Sequence, residues 1–168
     1  MSRASIRAAV GDYLSNAGVT NLSKVYTQPP KFTDAGEFFS GQDPGHASGA
    51  VIYLHIPNQN ENRQAIGGAT SGQKQRVYTI GLVCIFRSKK PNTQDVGDDN
   101  DAFLDSLVDA IEANRNAGNP NVVWQWGEGE ELYGVDIKVQ AEMPRPMRLQ
   151  MSQVFSVVQV TVVEQLST

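Results

Sequence analysis

The feature that most constrains the fold is an apolar stretch near the middle of the chain, from Arg76 to Arg87, which reads RVYTIGLVCIFR. The stretch is rich in β-branched and aromatic residues, which favour strands. Apolar side chains fall on both of its alternating faces, so we predict a central strand covered on at least one face. A chain built around such a strand needs partner strands on both sides and a layer that covers the sheet.

Other stretches have the character of partner strands. Gly49 to Ile56 is an apolar run that we expect to end at Pro57, because proline cannot donate to a strand ladder. Val135 to Ala141 alternates apolar with polar residues, and the prolines that follow it should break it. Gln153 to Glu164 predicts a long closing strand, and two shorter extended stretches are expected at residues 22–27 and 122–126.

Two segments have helical periodicity. Ile6 to Ala17 places apolar residues at steps of three, four and seven, with Ser2 or Ser5 as the candidate N-cap and Gly18 placed to end the helix. Residues 99–116 repeat the pattern, with Asp98 as the candidate cap. The order of elements predicts an α+β fold, with a mostly antiparallel mixed β-sheet, two main helices packed on one face and long polar loops. Residues 1–168 should form a single domain.

Polar segments separate these elements at residues 31–48, 58–75 and 88–98. The second segment reads NQNENRQAIGGATSGQKQ and joins the two strands that we expect to be neighbours. A polar loop of this length inside a compact domain is commonly functional. We therefore predict an extended hairpin arm at residues 58–75.

The charge of the chain restricts its partners. Fourteen basic and 18 acidic residues give a net charge of −4, and no basic patch stands out. Sequence-specific binding to nucleic acid is not expected, since it usually needs such a patch. Mild acidity would suit a surface that DNA passes without sticking. The first residues do not read as a secretory signal, and no apolar run is long enough to span a bilayer, so we expect synthesis in the cytoplasm and no membrane insertion.

No set of reactive residues converges in the sequence. Cys84 is the only cysteine, and neither His46 nor His55 has a ligand partner at metal-binding spacing. Residues 67–74 faintly resemble a phosphate loop, but Gln73 stands where that motif needs lysine. We therefore expect no enzyme, no cofactor and no metal, although a triad assembled from distant parts of the chain stays open.

Two features allow more than one interpretation. Asp98, Asp101 and Asp105 lie on one helical face, where a solvated surface is favoured over a cation site because the calcium-loop pattern fails. Trp124 and Trp126 stand two apart on an expected strand, so both rings point to one face. Core packing is favoured for that pair, and a subunit contact stays open.

The order of these parts resembles the tail terminator proteins, also called tail completion or tail tube terminator proteins, of long-tailed bacteriophages. An opening helix, IRAAVGDYL, leads into the extended SKVYTQPP, and a hairpin with a long polar arm centres on YTIGLVCIFR. The helix DAFLDSLVDAIEANRNAG follows, then VVWQW, VDIKVQAEMP and the closing FSVVQVTVVEQL. The resemblance spans nearly the whole chain and lies in the order of parts more than in any signature residue.

This resemblance implies a structural role. Members of the family are α+β monomers that assemble as a ring, typically a hexamer, at the head-proximal end of the virion tail. The ring caps the tail tube, stops its polymerisation and offers the surface that joins the head–neck connector or stopper protein, while DNA passes through without specific binding. The implied partners are copies of the chain itself, the tail tube protein and the neck protein, assembled in the bacterial host cytoplasm.

Charge suggests which surfaces a ring would use. The arm carries basic residues on an otherwise acidic body, and two acidic regions are candidate partners for it. The candidate interface consists of Arg63, Lys74 and Arg76 from the arm, Glu128, Glu130 and Glu131 from an expected turn, and Asp98, Asp101 and Asp105 from the second helix. Other phage neck, minor capsid or tail tube components are the alternative, followed by a small ligand-binding or enzymatic α+β domain.

Overall fold

The structure is a computed structural model, which describes residues 2–30, 47–63, 73–114, 137–148 and 150–167. The elements in chain order are α1 (Arg3–Asn16), β1 (Leu22–Tyr26), β2 (Ser48–Arg63), β3 (Gln73–Ser88), α2 (Thr93–Glu112), β4 (Lys138–Ala141), β5 (Arg145–Met147) and β6 (Met151–Ser167). The strand predicted at residues 122–126 and the polar loop predicted at 31–48 lie largely or wholly outside the described residues.

The described strands form one six-stranded mixed sheet. Its order is β1-β2-β3-β6-β4, and β5 pairs with β6 beside β4. All neighbouring strands are antiparallel except β1 and β2, which are parallel. β3 pairs with β6 along its whole length, from Gln73 opposite Ser167 to Ser88 opposite Ser152. The prediction of an α+β fold with a mostly antiparallel mixed sheet is confirmed, and RVYTIGLVCIFR is its central strand.

One face of the sheet carries the hydrophobic core. The register aligns Leu54, Leu82 and Val158 on a single rung, and all three side chains are buried. Phe86 of β3 packs against Phe103 of α2, with ring centroids 6.1 Å apart. Both helices contribute buried side chains to this same cluster, namely Ile6, Val10, Leu14, Val96, Leu107 and Ile111. The strand period of two and the helix period of 3.6 thus meet on one face, as the sequence predicts.

The ends of α1 follow local chemistry. The Ser2 hydroxyl accepts from the Ser5 amide at 3.2 Å, and the Ser5 hydroxyl accepts from the Ser2 amide at 2.8 Å. This reciprocal capping box satisfies two backbone donors at the helix start. After the helix, Gly18 adopts a φ of 71°, a conformation that glycine reaches without a steric penalty. Ser2 is thus the N-cap, one of the two candidates, Ser5 completes the capping box, and Gly18 follows the helix as expected from the sequence.

α2 begins earlier than the sequence pattern predicts. Its N-cap is Asn92, whose side chain accepts from the Gln94 amide at 3.0 Å, so the prediction of Asp98 as the cap is wrong. Asparagine caps a helix as well as aspartate does, and Val96 is already a buried member of the apolar stripe. The polar loop predicted at residues 88–98 is correspondingly shorter, and the helix ends at Glu112.

The long strands also run further than predicted. Pro57 does not end β2, because the register with β3 shifts between His55 and Asn58 and pairing resumes beyond the irregularity. Proline is tolerated at such a bulge, where its missing donor does not interrupt the ladder. β2 therefore continues to residue 63, β3 starts at 73 and β6 reaches 167. The prolines after β4 likewise interrupt pairing only briefly, since β5 pairs again with β6.

Candidate interaction surfaces

The arm predicted between the two hairpin strands is largely strand. We define the arm as residues 58–63 of β2, 73–79 of β3 and 161–167 of β6, which are paired in register. Its first strand is exposed from Asn58 to Glu61. At about 3.4 Å per residue, six strand residues extend roughly 20 Å. The arm is thus a three-stranded continuation of the sheet and not a loose loop, although residues 64–72 of the arm predicted at 58–75 lie outside the described residues.

A polar rung crosses the arm where the apolar core ends. The register places Glu61, Arg76 and Glu164 opposite one another on three strands. Arg76 Nε lies 2.8 Å from Glu61 Oε2, and the Tyr78 hydroxyl donates to Glu164 Oε2 at 3.0 Å. Tyr78 and Glu164 are buried, with 0% and 1% of their surface exposed. A buried carboxylate is tolerated here because hydrogen bonds satisfy it.

The electrostatics of the rung follow from these bonds. The hydrogen bond to Glu61 raises the pKa of Arg76, which keeps the guanidinium charged. Burial, followed by the hydrogen bond to Glu164, raises the pKa of Tyr78, so its hydroxyl remains a donor. Arg76 is therefore bonded within its own chain, and its role in an interface stays a prediction.

The two other basic residues predicted on the arm are placed by backbone register alone. Arg63 of β2 stands opposite Lys74 of β3, at the end of the described arm. The register thus brings two positively charged residues to one rung. An interface role for this pair stays a prediction, as it does for Arg76.

The three predicted aspartates share one surface. Asp98, Asp101 and Asp105 are exposed on α2, and Asp109 extends their row by another turn. α2 contains seven acidic residues and no basic one. The structure therefore brings these aspartates together as a row on the helix face opposite to the core. The remaining predicted interface residues, Glu128, Glu130 and Glu131, and the tryptophans at positions 124 and 126 lie outside the described residues.

The sequence did not predict a polar cluster that lies at the opposite end of the sheet from the arm. The hydroxyl of Ser48 lies 2.8 Å from that of Ser88 and 2.9 Å from Asp99 Oδ2. Lys90 Nζ is 2.8 Å from the same carboxylate oxygen. The hydrogen bond to Asp99 raises the pKa of Lys90, which is the wrong direction for a lysine that activates a serine by accepting its proton. This cluster ties the first half of α2 to the ends of β2 and β3.

Other chemistry-bearing residues do not form a reactive set with these groups. His55 is exposed on β2, whereas Cys84 is buried in the core, where desolvation raises the pKa of its thiol far above the usual range. A buried thiol of this kind is chemically inert. Among the residues that the structure covers, no group of three or more histidine, cysteine, aspartate or glutamate side chains could hold a metal ion. His46 lies outside that part of the chain.

A second surface missed in the sequence lies at one edge of the sheet. Val139, Met143 and Met147 are 44%, 82% and 37% exposed, the three large apolar side chains so exposed in the described residues. Lys138, Arg145 and Arg148 stand among them and are also exposed. The signal in the sequence was the run MPRPMR, which combines methionine and arginine with no acidic residue. We call residues 138–148 the β4–β5 rim.

Comparisons with known proteins add little to this description. No protein-family model matches the chain, and no curated protein matches it. Among solved structures, the chain is similar to one described as the virion of a native gene transfer agent particle, at 13% identity over 94% of each chain, with a TM-score of 0.31. A likeness at this level establishes neither a shared fold nor a shared function. None of the described helices is long and apolar enough to cross a membrane.

Proposed function

We propose that this chain is a structural protein of a phage-type virion. It assembles as a ring of identical subunits on the head-proximal end of the tail tube, stops tube polymerisation and presents the surface to which the neck protein binds. DNA passes through the ring without sequence-specific contacts. Support comes from the order of elements: an opening helix, a short strand, a hairpin with a long arm, a second helix and a closing strand.

The observation that carries the proposal is the arm. From Asn58 to Glu61 its first strand is exposed, so that strand adds little apolar burial to the core of its own chain. Ordering a residue costs roughly 1–2 kcal/mol of backbone entropy, which burial must offset. Tyr78 and Val162 of the neighbouring arm strands belong to the core, but the exposed polar strand at residues 58–61 is accounted for if it contacts other subunits, as strands at a sheet edge readily do.

Catalysis receives no comparable support. Ser48 and Lys90 both contact the Asp99 carboxylate, but the pKa of Lys90 is raised, which opposes general-base chemistry. Binding is the activity that the described surfaces favour. We therefore propose a non-enzymatic role, without a cofactor, in which the protein works through its contacts with other virion proteins.

The proposal is tested by the effect of the protein on tube growth. The purified chain is added at a low molar ratio to the tail tube protein of the same virus, and tube lengths are measured by negative-stain electron microscopy. A terminator shortens the tubes and is found at one end of each by immunogold labelling. Unchanged lengths with no end labelling would remove the terminator role.

The second candidate is a tube subunit or another neck component. Its support is the same paired-strand arm, which could equally stack subunits along a tube. Particles produced without the chain separate these roles. Loss of a terminator leaves overlong tails that do not join heads, loss of a tube subunit leaves no tube, and loss of a neck component leaves tails of normal length.

A further inference from the structure

In the described strands, the face of the sheet that points away from the helices carries positive charge only, whereas the helix-facing side holds both signs, as Arg76, Glu61 and Glu164 show. The register places Lys24, Arg87, Lys138 and Arg145 on the face that points away from the helices. No aspartate or glutamate occupies that face in the described strands. The opposite, helical side carries the seven acidic residues of α2. A molecule with positive and negative charge on different surfaces can associate head to tail with copies of itself.

The β4–β5 rim has the composition of a docking surface. A single exposed apolar residue is ordinary, but three of them, Val139, Met143 and Met147, lie along one edge of the sheet, with Val139 on the helix-facing side and Met147 on the other face by register. Methionine and arginine are enriched at protein interfaces. The single acidic side chain of the rim, Glu142, lies 3.1 Å from Arg145. Lys138 and Arg148 bring the positive charges of the rim to three against one negative charge.

The acidic row of α2 is the complementary surface on the same chain. Asp98, Asp101, Asp105 and Asp109 follow steps of three and four, so they form a single row opposite to the buried stripe. Like charges at these steps destabilise a helix, and acidic residues late in a helix also oppose its dipole. This surface thus combines repulsion between like charges with an unfavourable interaction with the helix dipole. A positively charged partner would reduce both.

The two surfaces match in length. Asp98 and Asp109 are 11 residues apart on a helix, or about 16 Å. Lys138 pairs with Gln159 and Arg145 with Gln153, so these two cations are six strand residues apart, or about 20 Å. Long, flexible cationic side chains easily cover the difference.

We infer that the β4–β5 rim of one copy docks on the acidic α2 row of the next copy. The contact joins two different surfaces, so it repeats head to tail and can close into a ring. This contact would supply the subunit interface of the proposed ring. The closure of the assembly into a ring rests on the proposed function. It differs from the arm-based interface, because the arm is not one of the two contacting surfaces.

Charge swapping tests this contact. Variant A carries Asp98→Lys, Asp105→Lys and Asp109→Lys, and variant B carries Lys138→Glu, Arg145→Glu and Arg148→Glu. Each variant alone sets like charges against each other, so its self-association constant should fall at least tenfold in sedimentation velocity. An equimolar mixture restores both contacts, because the lysines of A meet the glutamates of B and the native surfaces meet each other. Native mass spectrometry should then show alternating assemblies with even numbers of subunits.

The control is Asp12→Lys, which reverses an exposed carboxylate on α1 and should leave self-association unchanged. Circular dichroism melts check that A and B are folded, and recovery in the mixture shows it independently. Association of the unaltered protein should weaken as salt rises from 50 to 500 mM, since exposed charges are screened.

Three results would overturn the inference. They are a mixture that fails to recover, single variants that associate like the unaltered protein, and an unaltered protein that stays monomeric at every concentration. If the protein is monomeric but variant B is lost from particles, the rim binds a different virion protein. The tube-length experiment remains independent, because a terminator that uses another interface would still shorten tubes after these failures.

Discussion

The covered half of the sheet, which we define as residues 48–56 of β2, 80–88 of β3 and 152–160 of β6 together with the two helices packed on them, is stabilised differently from the arm. In the covered half, most rungs bury apolar side chains beneath two helices, as Leu54, Leu82 and Val158 do. At the polar rung of the arm, the ladder continues through Glu61, Arg76 and Glu164, and hydrogen bonds take the place of apolar contacts. The free energy of folding is therefore concentrated in the first region, and the second is ordered mainly by its attachment to it.

This difference separates stability from interaction. Apolar burial contributes about 25 cal/mol per Å², so the covered half holds most of the stabilising free energy. A strand that is largely polar and exposed can change sequence at little cost, and surfaces that bind partners are commonly drawn from such regions. Four measurements test whether stability is concentrated in the covered half of the sheet and not in the arm.

The largest effect is expected in the covered half. Phe103→Ala should lower the free energy of unfolding by about 3–5 kcal/mol, because it removes a buried ring that packs on Phe86 and leaves a cavity. Urea denaturation followed by circular dichroism measures the change. The matched arm variant, Gln59→Ala at an exposed position, should change that free energy by less than about 0.5 kcal/mol. Equal losses of unfolding free energy in the two variants would mean that the two regions contribute equally to stability.

The next effect lies at the base of the arm. Glu164→Ala leaves the buried Tyr78 hydroxyl without this acceptor, which should cost about 1–3 kcal/mol in the same assay. Tyr78→Phe introduced into that variant should recover part of the loss, because no hydroxyl then needs a partner. If the two substitutions are simply additive, the hydrogen bond is not what orders the rung.

A smaller effect should appear at alkaline pH. The pKa of Tyr78 is raised in the folded protein, mainly by burial, so the folded state holds this proton more tightly than the unfolded state. The contribution of Tyr78 is thus fully present below about pH 10 and is lost as pH rises through the folded pKa, at no more than about 1.4 kcal/mol per pH unit.

Denaturation midpoints between pH 8 and 11 measure this loss. Tyr78→Phe should flatten the alkaline decline. Tyr13→Phe is the matched variant in the covered half, where burial also raises the pKa and the hydroxyl donates to the Ala110 carbonyl. An unchanged slope in Tyr78→Phe would show that this hydroxyl does not couple to folding.

The smallest effect is expected from the exposed ion pair. Arg76 and Glu61 are 28% and 37% exposed, so their coupling in a double-mutant cycle with Arg76→Gln and Glu61→Gln should be only about 0.2–1 kcal/mol. The coupling should shrink further in 0.5 M salt. A coupling above about 2 kcal/mol would place this pair with the buried interactions of the covered half.

Local sequence predicted much of the covered half. The apolar stripe of α1, its serine cap and Gly18 depend on neighbours within a few residues, and so does the strand character from Ile80 to Phe86. The boundaries were less accurate, because Pro57 acts through its place in a register that only the pairing with β3 creates. The start of α2 was missed because asparagine and aspartate cap equally well, and the observed cap, Asn92, lies six residues before the predicted Asp98.

The candidate surfaces divide in the same way. The sequence already placed Asp98, Asp101 and Asp105 on one helical face, since helical spacing is local. It could not show that Arg76 is bonded to Glu61 on a neighbouring strand 15 residues away. The β4–β5 rim was not predicted either, because the run MPRPMR marks only its composition, and exposure depends on what else packs at that edge of the sheet.

By itself, the sequence determined the kinds of elements, the face that each one buries and the sign of charge along α2, because periodicity and side-chain chemistry act over a few residues. The tertiary structure decided the parallel pairing of β1, the extension of three strands into an arm and the internal partner of Arg76. These properties depend on the register between segments that are distant in the chain, and register is set by the free energy of the whole sheet.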